Sequence, residues 1–244
     1  EINRARKEAR GVSVESADEL RKETGAGEPF GAIAALLRRH RVQTIIIHPD
    51  TPVEIAERLR LRFRVRVGSR PWYPARIKKT PEEIKAIRES SRAAESALGM
   101  VRERILRARV RKGILYEGVY PLTSRLLRNA IEEWFYKKGF FASGTIISSG
   151  RAAADPHAIG EGIIAAGAPI VCDIFPYSRK SGFYADITRT FFKGTPLPTI
   201  EKAYRAVLGA QKRGIALLKA GIDGRKVHRA VSRAFEKEGF ETHP

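Results

Sequence analysis

The fold is decided by residues 170–192, which read IVCDIFPYSRKSGFYADITRTFF. Asp173 and Asp186 each lie within a run of β-forming residues, where aspartate is normally depleted. Residues 176–182 predict the connection of a β-hairpin, which would bring both carboxylates together on one sheet. Because close carboxylates repel, either one takes up a proton or both share a cation. A shared divalent metal is the sharper explanation, and it points toward hydrolysis.

The second strand of this hairpin predicts a polar face. Asp186, Thr188 and Thr190 would share one face, while the residues between them would point the other way and supply packing. A carboxylate flanked by hydroxyls suits a metal ligand whose neighbours hold it in place. The residues alone leave another interpretation open, in which both aspartates lie on the wet face of an amphipathic strand.

The chain as a whole has the composition of a globular protein. Its 244 residues are 43% hydrophobic and 30% charged, which is enough for one large domain or two ordinary ones. No apolar stretch is long and unbroken enough to span a bilayer, so we expect no membrane partner. The net charge is +19, but the basic residues alternate with glutamates, so we expect no specific nucleic-acid partner. The single cysteine, Cys172, predicts a buried small hydrophobe and favours a reducing cytoplasm.

Helix and strand patterns alternate up to about residue 70, which indicates a small α/β domain. A segment rich in glycine, proline and aromatic residues, 68–74, then marks a boundary. After it, Thr80 as N-cap, Pro81 at the first helical position and Glu83 as the end of a capping box predict a long helix. Before the boundary we predict strands at 12–15, 43–47 (buried) and 63–67, with helices at 30–39 and 52–61. After it we predict helices at 80–109, 123–139, 199–219 and 224–238, and a strand at 140–149.

Residues 148–191, which include Asp155-Pro-His157 and the DITRT segment, resemble metallopeptidase family M24 in its Xaa-Pro dipeptidase and aminopeptidase P branch. Residues 73–83 (YPARIKKTPEE) look like the join between a creatinase-type N-terminal domain and the catalytic domain. The resemblance implies an α+β pita-bread fold. By it, residues 1–72 are a partial creatinase-type domain and residues 73–244 are the catalytic domain.

The resemblance also implies the roles of four residues. Asp173 is similar to the family's first metal-binding aspartate, and Asp186 to the aspartate that bridges both ions. His157 resembles a histidine that faces the substrate and assists at the scissile peptide. Thr188 matches a hydroxyl that supports the metal shell. The implied enzyme hydrolyses Xaa-Pro peptide bonds through a hydroxide that bridges two divalent ions, with Mn²⁺ favoured and Co²⁺ or Zn²⁺ as substitutes. Its substrate has proline at the second position, and a homodimer is expected.

The family completes its site with a histidine in an HGxGH-like loop and two glutamates, and the chain contains none of these motifs. We therefore expect a chain that is truncated at both ends, lacks the C-terminal part of its catalytic domain and is itself inactive. His243 lacks the glycines of the motif and is expected to be an ordinary loop histidine. Two alternatives remain: an inactive M24-fold binding protein, and a creatinase-like C–N hydrolase, which the presence of both aspartates disfavours.

Overall fold

A computed structural model describes residues 2–9, 11–24, 29–69, 72–142 and 144–242. They form two compact units that divide between Lys79 and Thr80. The assignment of residues 1–72 to a creatinase-type domain and of residues 73–244 to a catalytic domain stays a prediction. Within the described ranges, no helix combines the length and the apolar character that a membrane span requires.

The first unit contains a parallel strand pair joined through a helix. Strand β1 (Thr44–Ile47) pairs with β2 (Arg64–Val67), and helix α4 (Val53–Arg60) forms the crossover. The predicted α/β order is therefore confirmed, but the predicted burial of β1 is wrong. Ile46 is 63% exposed because side chains alternate along the strand, which places it on the face opposite the half-buried Ile45 and Ile47, and no described element covers that face. The remaining helices of this unit are α1 (Ile2–Glu8), α2 (Ala17–Thr24) and α3 (Pro29–Arg39).

The strand predicted at residues 12–15 is wrong, because this stretch pairs with no other described strand and has no regular structure. Val14 instead accepts a hydrogen bond at its carbonyl from Nε of Arg6, at 3.3 Å. A short alternation of apolar and polar residues is thus insufficient without a partner strand.

The second unit begins with helix α5, Pro81–Arg107, and its predicted start is confirmed. Thr80 Oγ1 accepts the backbone N–H of Glu83 at 3.2 Å, and Glu83 Oε2 accepts the backbone N–H of Thr80 at 2.8 Å. This reciprocal pair satisfies two amide groups that a helix start otherwise leaves without partners. Three later helices also confirm the pattern: α6 (Ser124–Lys137), α7 (Pro198–Leu217) and α8 (Gly224–Lys237).

Two antiparallel systems accompany these helices. The first is a meander of β3 (Arg109–Arg111), β4 (Ile114–Glu117) and β5 (Tyr120–Pro121), which was not predicted from the sequence. The second contains β7 (Ile146–Ser149), β8 (Ile170–Ile174) and β10 (Ile187–Phe191), with β8 in the centre. Beside it, β6 (Phe140–Ala142) pairs with β9 (Pro176–Ser178).

The single strand predicted at residues 140–149 is wrong, because β6 and β7 are separate. Ala142 lies opposite Pro176 and Ile146 lies opposite Asp173. Three residues therefore separate Ala142 from Ile146, whereas two separate Asp173 from Pro176. This change of register is typical of a β-bulge. Gly144 within this gap has φ +78°, a conformation that favours glycine.

One face of the β7–β8–β10 sheet supplies the core of this unit. Ile170, Cys172 and Ile174 alternate along β8 and are fully buried. They join one apolar cluster with the inward side chains of α5, α6 and β7, which include Val101, Ile105, Leu127, Ile131, Phe135 and Ile147. Because side chains alternate along a strand, this packing leaves Val171 and Asp173 on the outer face.

Candidate functional site

The predicted hairpin is present, but its connection is shorter than predicted. Residues Pro176–Ser178 belong to β9 and are not part of the turn. The chain reverses over residues 179–182, where the N–H of Gly182 donates to the carbonyl of Ser178 at 2.7 Å. The N–H of Ser178 donates to the carbonyl of Phe183 at 3.0 Å and closes the loop. The extended arms position the two aspartates.

Asp173 and Thr188 are directly opposed across β8 and β10. The Thr188 hydroxyl donates to Oδ1 of Asp173 at 2.5 Å. Asp173 is half-buried, whereas Thr188 is exposed. One carboxylate oxygen is thereby held by a hydrogen bond from the neighbouring strand. This arrangement is typical of an anionic ligand held by a supporting hydrogen bond.

Asp186 precedes β10 by one residue and is exposed. The hairpin has the same register on both sides of it, since Ile187 lies opposite Ile174 and Tyr184 lies opposite Tyr177. Asp186 is therefore diagonal to Asp173, a position typically about 7–8 Å away between Cα atoms and within reach of side-chain interactions. The predicted approach of the two aspartates on one hairpin is consistent with this register.

Packing of the opposite face of β10 is also as predicted. Ile187 and Phe191 pack against the core cluster. Thr190 lies opposite Val171, on the same face as Thr188. Arg189 is the exception to the packing role, because it is exposed and donates through a guanidinium N–H to the carbonyl of Thr188 at 2.7 Å.

His157 lies after a 3₁₀ turn at Gly150–Ala154, and its side chain is 93% exposed. Its backbone N–H donates to Oδ1 of Asp155 at 2.8 Å, and its Nδ1 is 3.9 Å from the same oxygen. The structure thus pairs His157 with Asp155 and shows no contact between His157 and either Asp173 or Asp186 in the described ranges. Sequence reasoning missed this role of Asp155, although Asp-Pro-His is a turn signal in which aspartate bonds a backbone amide two residues on.

The segment after His157 returns along β7. The Ser148 hydroxyl donates to the carbonyl of Ala158, and the N–H of Ile147 donates to the carbonyl of Ile159 at 3.1 Å. Gly160 permits this approach, because a Cβ there would lie 2.0 Å from the carbonyl oxygen of Ile147. The His157 loop is therefore tethered to the strand that neighbours β8.

Asp173, Asp186 and the Thr188 hydroxyl present oxygen donors, which suit hard divalent cations. They can supply only part of a ligand set. Among the described residues, no group of three or more His, Cys, Asp or Glu side chains could hold a metal. His243 lies outside those residues. Cys172, adjacent to Asp173, faces the core, and burial raises the pKa of its thiol to about 12. Its predicted role as a buried apolar side chain is confirmed.

Comparison with known proteins gives consistent matches. The sequence model of metallopeptidase family M24 matches residues 85–244. The uncharacterized peptidase YqhT of Bacillus subtilis is 27% identical over 168 residues, which are 68% of this chain and 43% of that protein. The Xaa-Pro dipeptidase of Pyrococcus furiosus is 28% identical over 166 residues, 68% of this chain and 44% of that protein. The chain thus spans less than half the length of these relatives.

Solved structures establish the fold. An Xaa-Pro dipeptidase from Bacillus anthracis superposes with a TM-score of 0.80 at 24% identity and covers 98% of this chain and 62% of its own. The prolidase from Pyrococcus horikoshii OT3 gives a TM-score of 0.74 at 23% identity, over 96% of this chain and 61% of its own. The predicted α+β pita-bread class is confirmed.

Proposed function

Because the chain belongs to metallopeptidase family M24, we propose that it acts as a metal-dependent exopeptidase on Xaa-Pro peptide bonds, of the prolidase or aminopeptidase P type. The observation that carries the proposal is the pairing of Asp173 with Thr188 on a hairpin that also carries Asp186. The Xaa-Pro dipeptidase of Pyrococcus furiosus, at 28% identity, supports the substrate class.

In this proposal Asp173 and Asp186 hold two divalent cations, for which Mn²⁺ is the first candidate and Co²⁺ or Zn²⁺ are substitutes. When bound, such ions polarise a carbonyl and lower the pKa of water. Thr188 keeps the Asp173 carboxylate in a fixed orientation through its hydrogen bond. Further ligands have to complete the set, because two carboxylates leave most positions around two ions unfilled.

His157 is proposed to face the peptide and to assist at the scissile bond. Its exposed imidazole can meet a substrate without displacing packed side chains. Asp155 restrains the loop from which it projects, since it accepts the backbone N–H of His157. An imidazole has one ring nitrogen that can donate a hydrogen bond and one that can accept it, which suits a group that faces the peptide nitrogen or carbonyl.

We place the enzyme in a reducing cytoplasm, as a homodimer that acts on peptides with proline at the second position. The single cysteine, which is buried and excludes an internal disulfide, supports the reducing compartment.

The test is release of the first residue from an Xaa-Pro peptide by the full-length gene product with Mn²⁺. Asp186→Ala should lower kcat/KM by at least about a thousandfold, which corresponds to roughly 4 kcal/mol. Asp18→Ala, an exposed aspartate of α2 in the first unit, is the matched control and should leave kcat/KM unchanged. No turnover with Mn²⁺, Co²⁺ or Zn²⁺ by a folded wild-type protein would refute the proposed activity, and full activity of Asp186→Ala would refute the role of that carboxylate.

A further inference from the structure

Helices α7 and α8 enclose a groove of about 680 Å³. They approach closely because the α7 side of the contact consists of Ala206, Ala210 and Gly214, which are buried. A Cβ at Gly214 would lie 3.0 Å from a methyl group of Val231 on α8. The groove runs along this contact, and its floor includes small side chains from both helices.

The walls of the groove are strongly basic. On α8, Lys226 and Lys237 lie eleven residues apart, and two arginines occupy the positions between them. At about 1.5 Å rise per residue, the four cations extend over about 16 Å. The facing wall on α7 adds Arg205 and Arg213. Among the described residues that line the groove, Glu238 is the one acidic side chain.

Most of this charge is not neutralised within the chain. Arg205 pairs with Glu201 at 2.5 Å. By contrast, four exposed cations of the groove make no ion pair with any carboxylate in the described ranges; they are Arg213, Lys226, Arg233 and Lys237. Like charges held along one face repel each other, so an anionic ligand along the groove would relieve an unfavourable arrangement.

The six cations that line the groove are exposed. On a helix of about 3.6 residues per turn, Arg205 and Arg213 fall on the flank opposite Val207 and Ile215. The latter two are apolar and 54% and 61% exposed. Any structure that packs on the helix pair would cover the apolar flank, since burial of apolar surface drives association. The basic flank would then remain accessible.

The lining selects among anions. None of the described residues that line it is aromatic, so no ring is available on which a base could stack, which disfavours single-stranded nucleic acid. Four of its six cations are arginines, whose planar guanidinium groups bind phosphate oxygens in a bidentate manner. Cations on both walls over about 16 Å match an extended ligand with charge on all sides. We propose that the groove between α7 and α8 binds a linear inorganic polyphosphate chain.

The test compares two double variants with the same loss of charge. Arg213→Gln with Arg233→Gln removes one unpaired arginine from each wall. Arg107→Gln with Arg109→Gln removes two exposed arginines at the end of α5 and the start of β3, outside the groove. Binding of a short-chain polyphosphate is measured by isothermal titration at several salt concentrations. Circular dichroism and thermal melting check that each variant folds like the wild-type chain.

The groove variant should bind at least about tenfold more weakly, with a slope of log K against log salt that is shallower by about two, roughly one for each arginine removed. The α5–β3 control should bind within about twofold of wild type, which separates a site from diffuse attraction by net charge. Arg213→Lys with Arg233→Lys should retain part of the affinity, because charge remains while the guanidinium fork is lost. Equal losses in both glutamine variants would overturn the proposal, as would an absence of saturable binding. Stronger binding of a single-stranded oligonucleotide or of polyglutamate than of polyphosphate would overturn the assigned ligand.

Discussion

In the second unit, the aspartate site lies on a sheet that packs into the core, whereas the basic groove lies on a pair of helices. Asp173 and Thr188 belong to paired strands whose other face is packed into the apolar core with α5 and α6. The groove cations project from α7 and α8, which pack mainly on each other; no residue of α8 is buried. A metal ligand needs a fixed position, which the buried sheet supplies. A polyanion tolerates long, mobile side chains, so the helix pair is a sufficient support for the groove.

The largest expected effect is on the free energy of unfolding, when a phenylalanine is removed either from the core beneath the sheet or from the helix pair. Phe135 of α6 is fully buried, whereas Phe235 of α8 is half-buried. Phe135→Ala should lower the free energy of unfolding by about 3–5 kcal/mol, since it removes a large side chain from a closed core. Phe235→Ala should cost roughly 1 kcal/mol. Urea denaturation followed by circular dichroism measures both. Equal losses would show that α7 and α8 are as firmly packed as α5 and α6.

The hydrogen bond from Thr188 fixes the orientation of the Asp173 carboxylate. Thr188→Val keeps a β-branched side chain but removes the hydroxyl that donates to Asp173. If that hydrogen bond orients a metal ligand, the affinity of the full-length gene product for Mn²⁺ should fall by about 10–100-fold in isothermal titration.

Two companion variants sharpen the Thr188 experiment. Thr190→Val changes the same residue type on the same face of β10, opposite Val171, and should leave Mn²⁺ affinity unaltered. Thr188→Ser restores a hydroxyl and should recover most of the affinity. If Thr188→Val and Thr190→Val weaken Mn²⁺ binding equally, the effect belongs to the strand as a whole and the role of the hydrogen bond is lost.

Local signals in the sequence were sufficient for much of the fold. Thr80, Pro81 and Glu83 encode the start of α5 through contacts within four residues, and the structure reproduces them. The alternation along residues 186–191 predicted the packed face of β10, from which Ile187 and Phe191 contact the core. These features depend on residues close together in the chain, so they can be predicted from a single sequence.

Features that depend on distant partners were not predictable in the same way. The bulge between β6 and β7 exists because both pair with one continuous arm, 170–178, in two registers. The exposure of Ile46 on β1 depends on whether another element covers that face of the strand, which its own isoleucines do not encode. Likewise, the cations of the groove looked like dispersed surface charge, because their convergence depends on how α7 meets α8.

The smallest expected effect tests whether water is excluded from the buried face of β8, behind the aspartate site. Cys172 lies beside Asp173 on β8 but faces the core, and burial raises the pKa of its thiol to about 12 from an ordinary value of 9.0. A raised folded-state pKa means that the unfolded chain loses its proton first, so the thiol's contribution to stability is complete below about pH 9 and declines toward pH 12. The free energy of unfolding should therefore fall by roughly 1 kcal/mol per pH unit more in the wild type than in Cys172→Ala above pH 9. Urea titrations of both proteins at pH 8, 9 and 10 measure the difference, and parallel pH profiles would contradict it.

A thiol reagent at pH 8 should modify Cys172 only as the protein unfolds; rapid labelling of the native chain would show that water reaches the face of β8 on which the aspartate site depends.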